Sequence, residues 1–132
     1  MQAPSNSDDD DARADLDFWR DLSDGTDDSG RELLTLYLAN TSAEILLMIS
    51  GLADGHADGV ARAAHTCAGS SGTCGVEDLA QLFRQLEYQA RDNRHEALSD
   101  TLPLIVETFD RVHARLTRAI AATSAEPIQE RT

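Results

Sequence analysis

The chain alternates between stretches of helical apolar period and short breaks rich in Gly, Ser and Asp. From about Gly30 to Ala53, Leu34, Tyr37, Leu38, Thr41, Ile45, Met48, Ile49 and Leu52 recur at i, i+3, i+4 and i+7 spacings, the pattern of one buried helix face. Asp54 and Gly55 end that segment. A second stretch runs from His56 or Ala57 to Ser71, with Val60, Ala64, Cys67 and Ser71 on its inward stripe. After a break at Gly72–Gly75, residues 76–92 put Leu79, Leu82, Phe83, Leu86 and Ala90 on one side. Residues 94–122 carry a near-heptad seam of Leu98, Leu102, Ile105, Phe109, Val112, Leu116 and Ile120. Pro103 lies inside that seam, and its missing N–H predicts a kink or a shifted helix start.

Upstream, Asp15–Leu22 reads as a short helix with Leu16, Phe18, Trp19 and Leu22 as its apolar side, Trp19 anchoring it to the main body. Ser23–Ser29 reads as a turn. No segment alternates with period two over a strand's length. The expected fold is all-α: an antiparallel four-helix bundle with a short extra N-terminal helix, occupying residues 15–122. A disordered acidic tail, 1–14, precedes it and a flexible tail, 123–132, follows.

Composition narrows the classes of function. With 132 residues, 41% of them hydrophobic, the chain holds one domain with a real core. The net charge is −13, and residues 1–28 alone bear ten Asp against two Arg. That balance argues against a nucleic-acid partner. The longest apolar run, Ile45–Ile49, is too short to span a bilayer, and no secretion leader opens the chain. The expectation is a cytoplasmic protein without membrane attachment; Met1 and the polar start read as free-standing. All eleven basic residues are Arg. Cys67 and Cys74 sit seven apart without CxxC spacing; one disulfide is possible in principle, but the lack of a secretion signal favours reduced thiols, used in core packing.

The segment that carries chemistry is Ala61–Gly75, ARAAHTCAGSSGTCG. His65 falls one residue off the inward stripe, so it turns about 100° away from the core. Its neighbours one helical turn either way are Ala61, Arg62, Ala68 and Gly69, all small except Arg62. A glycine inside a helix costs about 1 kcal/mol relative to alanine. Gly69 and Ala68 beside an exposed imidazole therefore give up helix stability for open space, which lets another molecule reach the ring. With no second His, Asp or Cys on its face, His65 is a poor metal ligand, although a metal-binding bundle is a weak third reading. It lacks a Ser or Cys nucleophile and an orienting acid for hydrolysis. The remaining role is covalent: the imidazole as nucleophile. His56, at the start of its helix, is expected to face solvent, and His95 and His113 have no such clearing around them.

The run His65-Thr-Cys-Ala-Gly69-Ser70-Ser71-Gly-Thr-Cys-Gly75 resembles the phosphorylation motif of histidine-containing phosphotransfer domains. In that family the His is followed by a hydrophobic residue at +2, Lys at +3, Gly at +4, Ser or Ala at +5, and a hydrophobic–Gly pair at +9 and +10. Gly69, Ser70 and Gly75 fit, and Cys67 and Cys74 fill the hydrophobic places. The likeness extends from the LDFW segment to Ile120 and includes the Leu86–Glu87 pair. It departs at +3, where Lys gives way to Ala68. Arg62, three residues before His65, is placed to supply the missing charge.

The resemblance implies a phosphorelay intermediate, a phosphoryl carrier rather than an enzyme with its own ATP site. It implies that a polar residue twenty-two after the His, here Glu87, bonds Nδ1, and that a basic residue four further on, here Arg91, faces the partner or the phosphate; read from spacing alone, Glu87 and Arg91 make an ordinary i, i+4 surface ion pair. Ala68 and Gly69 would leave room for the phosphoryl group, and Ser70 would bond within the helix or orient the site. Implied partners are response-regulator receiver domains and a hybrid sensor histidine kinase, the chain acting as a monomer. It implies no cofactor of the chain's own, Mg²⁺ belonging to the partner receiver. The alternative is a non-phosphorylated helical docking module that binds a receiver or kinase and regulates it; Ala68 is the feature that sustains it.

Overall fold

The computed structural model describes residues 27–131, with side-chain surroundings over 30–121. Four helices follow in order: α1 (Asp27–Asp54), α2 (Ala57–Thr73), α3 (Glu77–Arg91) and α4 (His95–Arg131). Among the described residues there is no strand.

The three connections use one device. Gly55 and Gly75 take φ of 77° and 76°, and Asn93 takes 56°. These left-handed positions favour residues with little or no side-chain clash. In each case the next residue's N–H reaches back into the last turn: His56 to the Gly51 carbonyl at 2.8 Å, Val76 to Ser71 at 2.8 Å, and Arg94 to Gln89 at 3.0 Å. The chain reverses within two or three residues, so consecutive helices are antiparallel neighbours.

Packing divides the chain into two compact units, one being Tyr37–Asp110. Its core joins segments of all four helices. Met48, Val60, Ala64, Cys67, Leu79, Phe83, Leu86, Leu98 and Ile105 are almost completely buried. Burial of each large apolar side chain contributes about 1.5–3 kcal/mol before the entropy of ordering is set against it. α1 and α2 approach closely: a Cβ on Gly51 would lie 3.0 Å from Val60 Cγ2. Across the same pair, the buried Tyr37 and Ser71 hydroxyls hydrogen-bond at 2.7 Å. Burial pushes the Tyr37 phenol well above its ordinary pKa, the Ser71 bond only partly opposing it. The other unit joins the described residues up to Leu36 with those from Arg111. There Leu34, Val112, Leu116 and Ala119 are buried.

The differences from the sequence reading lie at ends and edges. α1 begins at Asp27 rather than after Ser29. Asp27 and Asp28 thus lie within the helix rather than in the turn, and acidic residues are compatible with the N-terminal part of a helix. α4 runs to Arg131 where a flexible tail from residue 123 was expected; alanines at 121, 122 and 125 and the chain's Glu, Gln and Arg near its end are good helix formers. Pro103 does not shift the helix start, which stays at His95. Ile49 is 44% exposed, because the buried stripe narrows to Ile45 and Met48 there. Leu82 and Ile120 are half-buried. Gly30–Asp54 is long and apolar enough to cross a membrane. A core helix passes the same test, and here Leu34, Tyr37, Leu38, Ile45 and Met48 face the interior. The acidic tail and the Asp15–Leu22 helix expectation lie outside the described residues.

Candidate functional site

His65 sits near the middle of α2. The stripe Val60, Ala64, Cys67 and Ser71 is buried to within 1%, and the imidazole, one residue out of phase with it, has 71% of its side chain exposed. The helix therefore presents the ring because its other face is committed to the core.

α2 and α3 pack against one another, which brings Glu87 beneath the ring. Nδ1 lies 3.2 Å from Glu87 Oε1 and 3.1 Å from Oε2. Glu87 is itself held. Arg91, one turn along α3, donates from Nε at 3.0 Å and from Nη2 at 2.7 Å to the same Oε2. Partial burial raises the Glu87 pKa, but the bonds from Arg91 and His65 outweigh it, leaving the carboxyl below its ordinary value. An ionised carboxylate can only accept hydrogen bonds. Nδ1 must therefore carry the proton, and in the neutral ring the lone pair stands on Nε2.

The ground beside the ring is open. A Cβ added to Gly69, one turn after His65, would meet nothing within 4 Å, and the same is true at Gly72. Neither glycine is required by packing in this chain. The Ser70 hydroxyl donates to the Cys67 carbonyl at 3.3 Å, so it is spent within the helix. Ala68 is 5% exposed; its methyl packs inward and reaches no approaching molecule, a correction to its place among the docking candidates. Arg62 is exposed and lines an open groove with Glu44, Leu47, His56 and Thr66. Leu47, 61% exposed on that groove, was missed in the sequence, where it looked like one more apolar residue of α1. Among the described residues no group of three His, Cys, Asp or Glu is placed to hold a metal ion.

The site is thus an exposed imidazole on a helix, bonded at Nδ1 to a carboxylate and with open space at Gly69. The family model described as Hpt domain matches residues 32–125. The chain belongs to the Hpt domain family. It matches no curated protein and no solved structure. Hpt domains are phosphocarriers of two-component signalling that work with receiver domains and kinases, and phosphotransfer of that kind is what the family implies for this chain.

Within this Hpt domain the two cysteines have no chemistry to offer. Both are free and buried. Burial pushes the Cys67 thiol up to about 12, with Glu44 adding to it, and the Cys74 thiol up to about 11. Thiols so far from ionisation are poor nucleophiles and serve as small apolar packing.

Proposed function

We propose that this Hpt domain is a phosphorelay intermediate, with His65 taking a phosphoryl group from the phospho-aspartate of one receiver domain and passing it to another. The observation that carries the reading is the ring itself: exposed, bonded at Nδ1 to an acceptor-only carboxylate, and clear on the Gly69 side. The Nε2 lone pair attacks phosphorus, and the P–O bond to the aspartate breaks with its electron pair returning to that carboxylate. The ring, still protonated at Nδ1, becomes cationic and faces the Glu87 carboxylate. In the onward step a receiver aspartate attacks phosphorus, the P–N bond breaks, and its electron pair returns to Nε2. No proton has to move in either direction, which suits a reversible carrier.

Such transfers run through loose, in-line transition states where positioning and charge neutralisation dominate. Glu87 fixes the tautomer, and Arg62 supplies positive charge in place of the family's Lys at position 68. In this reading the chain needs no cofactor of its own, the receiver brings Mg²⁺, and a hybrid sensor histidine kinase stands upstream. The carrier acts as a cytoplasmic monomer.

The test is phosphotransfer profiling against a panel of phosphorylated receivers. Acid-labile, alkali-stable label should appear on the wild type and be absent from His65→Gln. The alternative draws on Ala68: a docking module regulating a receiver or kinase by occupancy. Receiver binding of equal strength in both proteins, with label in neither, would establish that alternative instead.

A further inference from the structure

The family resemblance implies that the basic residue four positions after Glu87 faces a partner or a phosphoryl group, whereas the spacing alone reads as an i, i+4 ion pair, and the structure shows that pair. Arg91 commits Nε and Nη2 to one oxygen of Glu87, at 3.0 and 2.7 Å, and that oxygen is also 3.1 Å from His65 Nδ1. The three side chains form a line: guanidinium, carboxylate, imidazole.

The order along α3 is the favourable one, with the acid one turn N-terminal to the base. Arg91 also occupies the last turn of the helix, where a cation complements the macrodipole. Glu87 is 17% exposed and Arg91 58%. The carboxylate is thus partly shielded while its counter-ion remains wet. A Glu side chain has three torsions, and a carboxylate bonded only to an exposed imidazole would rotate away from it readily. Two donors on Oε2 restrict that rotation and keep both oxygens towards Nδ1.

We propose that Arg91 is a positioning residue for His65, acting through Glu87 to hold the ring as the Nδ1–H tautomer with Nε2 outward. This deepens the phosphocarrier reading and rests on it for its functional consequence. It departs from a purely docking role, because the Nε and Nη2 edge of the guanidinium is turned back onto Glu87 within the domain, while its remaining N–H groups stay exposed.

The ring's tautomer balance reads the effect without any partner. Nitrogen-15 labelled protein is studied by long-range proton–nitrogen correlation above the titration of the imidazole, for wild type, Arg91→Ala, Arg91→Lys, Glu87→Ala and the double variant Glu87→Ala/Arg91→Ala. Wild type should be mainly Nδ1–H. Arg91→Ala should lower the Nδ1–H to Nε2–H ratio by about twofold, the scale of a single i, i+4 ion pair. Arg91→Lys should restore part of it. In the Glu87→Ala background, removing Arg91 should change nothing further, since the coupling runs through the carboxylate.

An unchanged ratio in Arg91→Ala overturns the proposal, and so does an equal effect with and without Glu87. Weakened receiver binding together with a wild-type ratio would reassign Arg91 to docking. The phosphocarrier reading fails separately, if wild-type protein accepts no phosphoryl group from any phosphorylated receiver. The tautomer ratio of the unphosphorylated protein decides the Arg91 proposal in either case.

Discussion

The proposed carrier role of His65 rests on what lies on the two sides of its imidazole. Below it, Glu87 accepts from Nδ1; above it, Gly69 leaves space. Replacing Glu87 with Ala removes a hydrogen bond to a charged group, worth about 1.5 kcal/mol, so receiver-to-His65 transfer should slow by about tenfold. Rapid-quench kinetics with a phosphorylated receiver would measure it, and an unchanged rate would show that the ring needs no orientation. Glu87 also carries a pH signature. Its folded-state pKa is lowered, so its contribution to stability is fully present above the ordinary Glu value of about 4.3 and is lost as pH falls through the lower folded value. Glu87→Gln should lose about 0.5 kcal/mol of stability at pH 7 and almost none at pH 2, by urea denaturation at the two pH values. Helix phase made the outward turn of His65 legible in the sequence, and Glu87 as its partner followed only from the family resemblance. The Glu87–Arg91 ion pair was legible from its i, i+4 spacing, but not that the carboxylate it holds is the one bonded to His65 Nδ1.

At the scale of the helix, α2 gives up stability for access. Nothing within 4 Å opposes a methyl at Gly69, so Gly69→Ala should stabilise the protein by about 1 kcal/mol. The same methyl should obstruct the phosphoryl oxygens and slow transfer several-fold. Greater stability in denaturant with a lower transfer rate is the expected pair of results; greater stability with an unaltered rate would show that the clearing serves no ligand. Gly75 has the opposite character, since its φ of 76° is poorly suited to any side chain. Gly75→Ala should destabilise by about 1–2 kcal/mol, seen as a lower urea midpoint. Helix order and inward stripes were legible because a 3.6-residue period leaves a strong trace in α2 and α3. The ends were harder. Asp27 and Asp28 belong to turn-like composition and to helix N-termini alike, and only packing distinguishes the two.

Across the molecule, the acidic balance and the buried core act on different properties. The net charge is −13 with only Arg as base, and Arg62 shares its groove with Glu44 and Asp54. Cys67 and Cys74, 1% and 4% exposed, sample the core from α2 and the turn that follows it. With thiols pushed up to about 12 and 11, both should resist iodoacetamide at pH 8 until the bundle opens. Their modification rate should rise with denaturant in step with global unfolding; rapid native-state labelling would contradict the packing described. Cys67 was placed in the core by helical spacing and Cys74 by the family resemblance, whereas the inward methyl of Ala68 was not foreseen, because a position flanking the stripe can turn either way.

The most direct measurement is phosphorus-31 and nitrogen-15 NMR of the protein after phosphorylation by a receiver. The account predicts a single phosphoramidate resonance coupled to Nε2 of His65 and absent from His65→Gln. A phosphoryl group on Nδ1, on another side chain, or on none would contradict it.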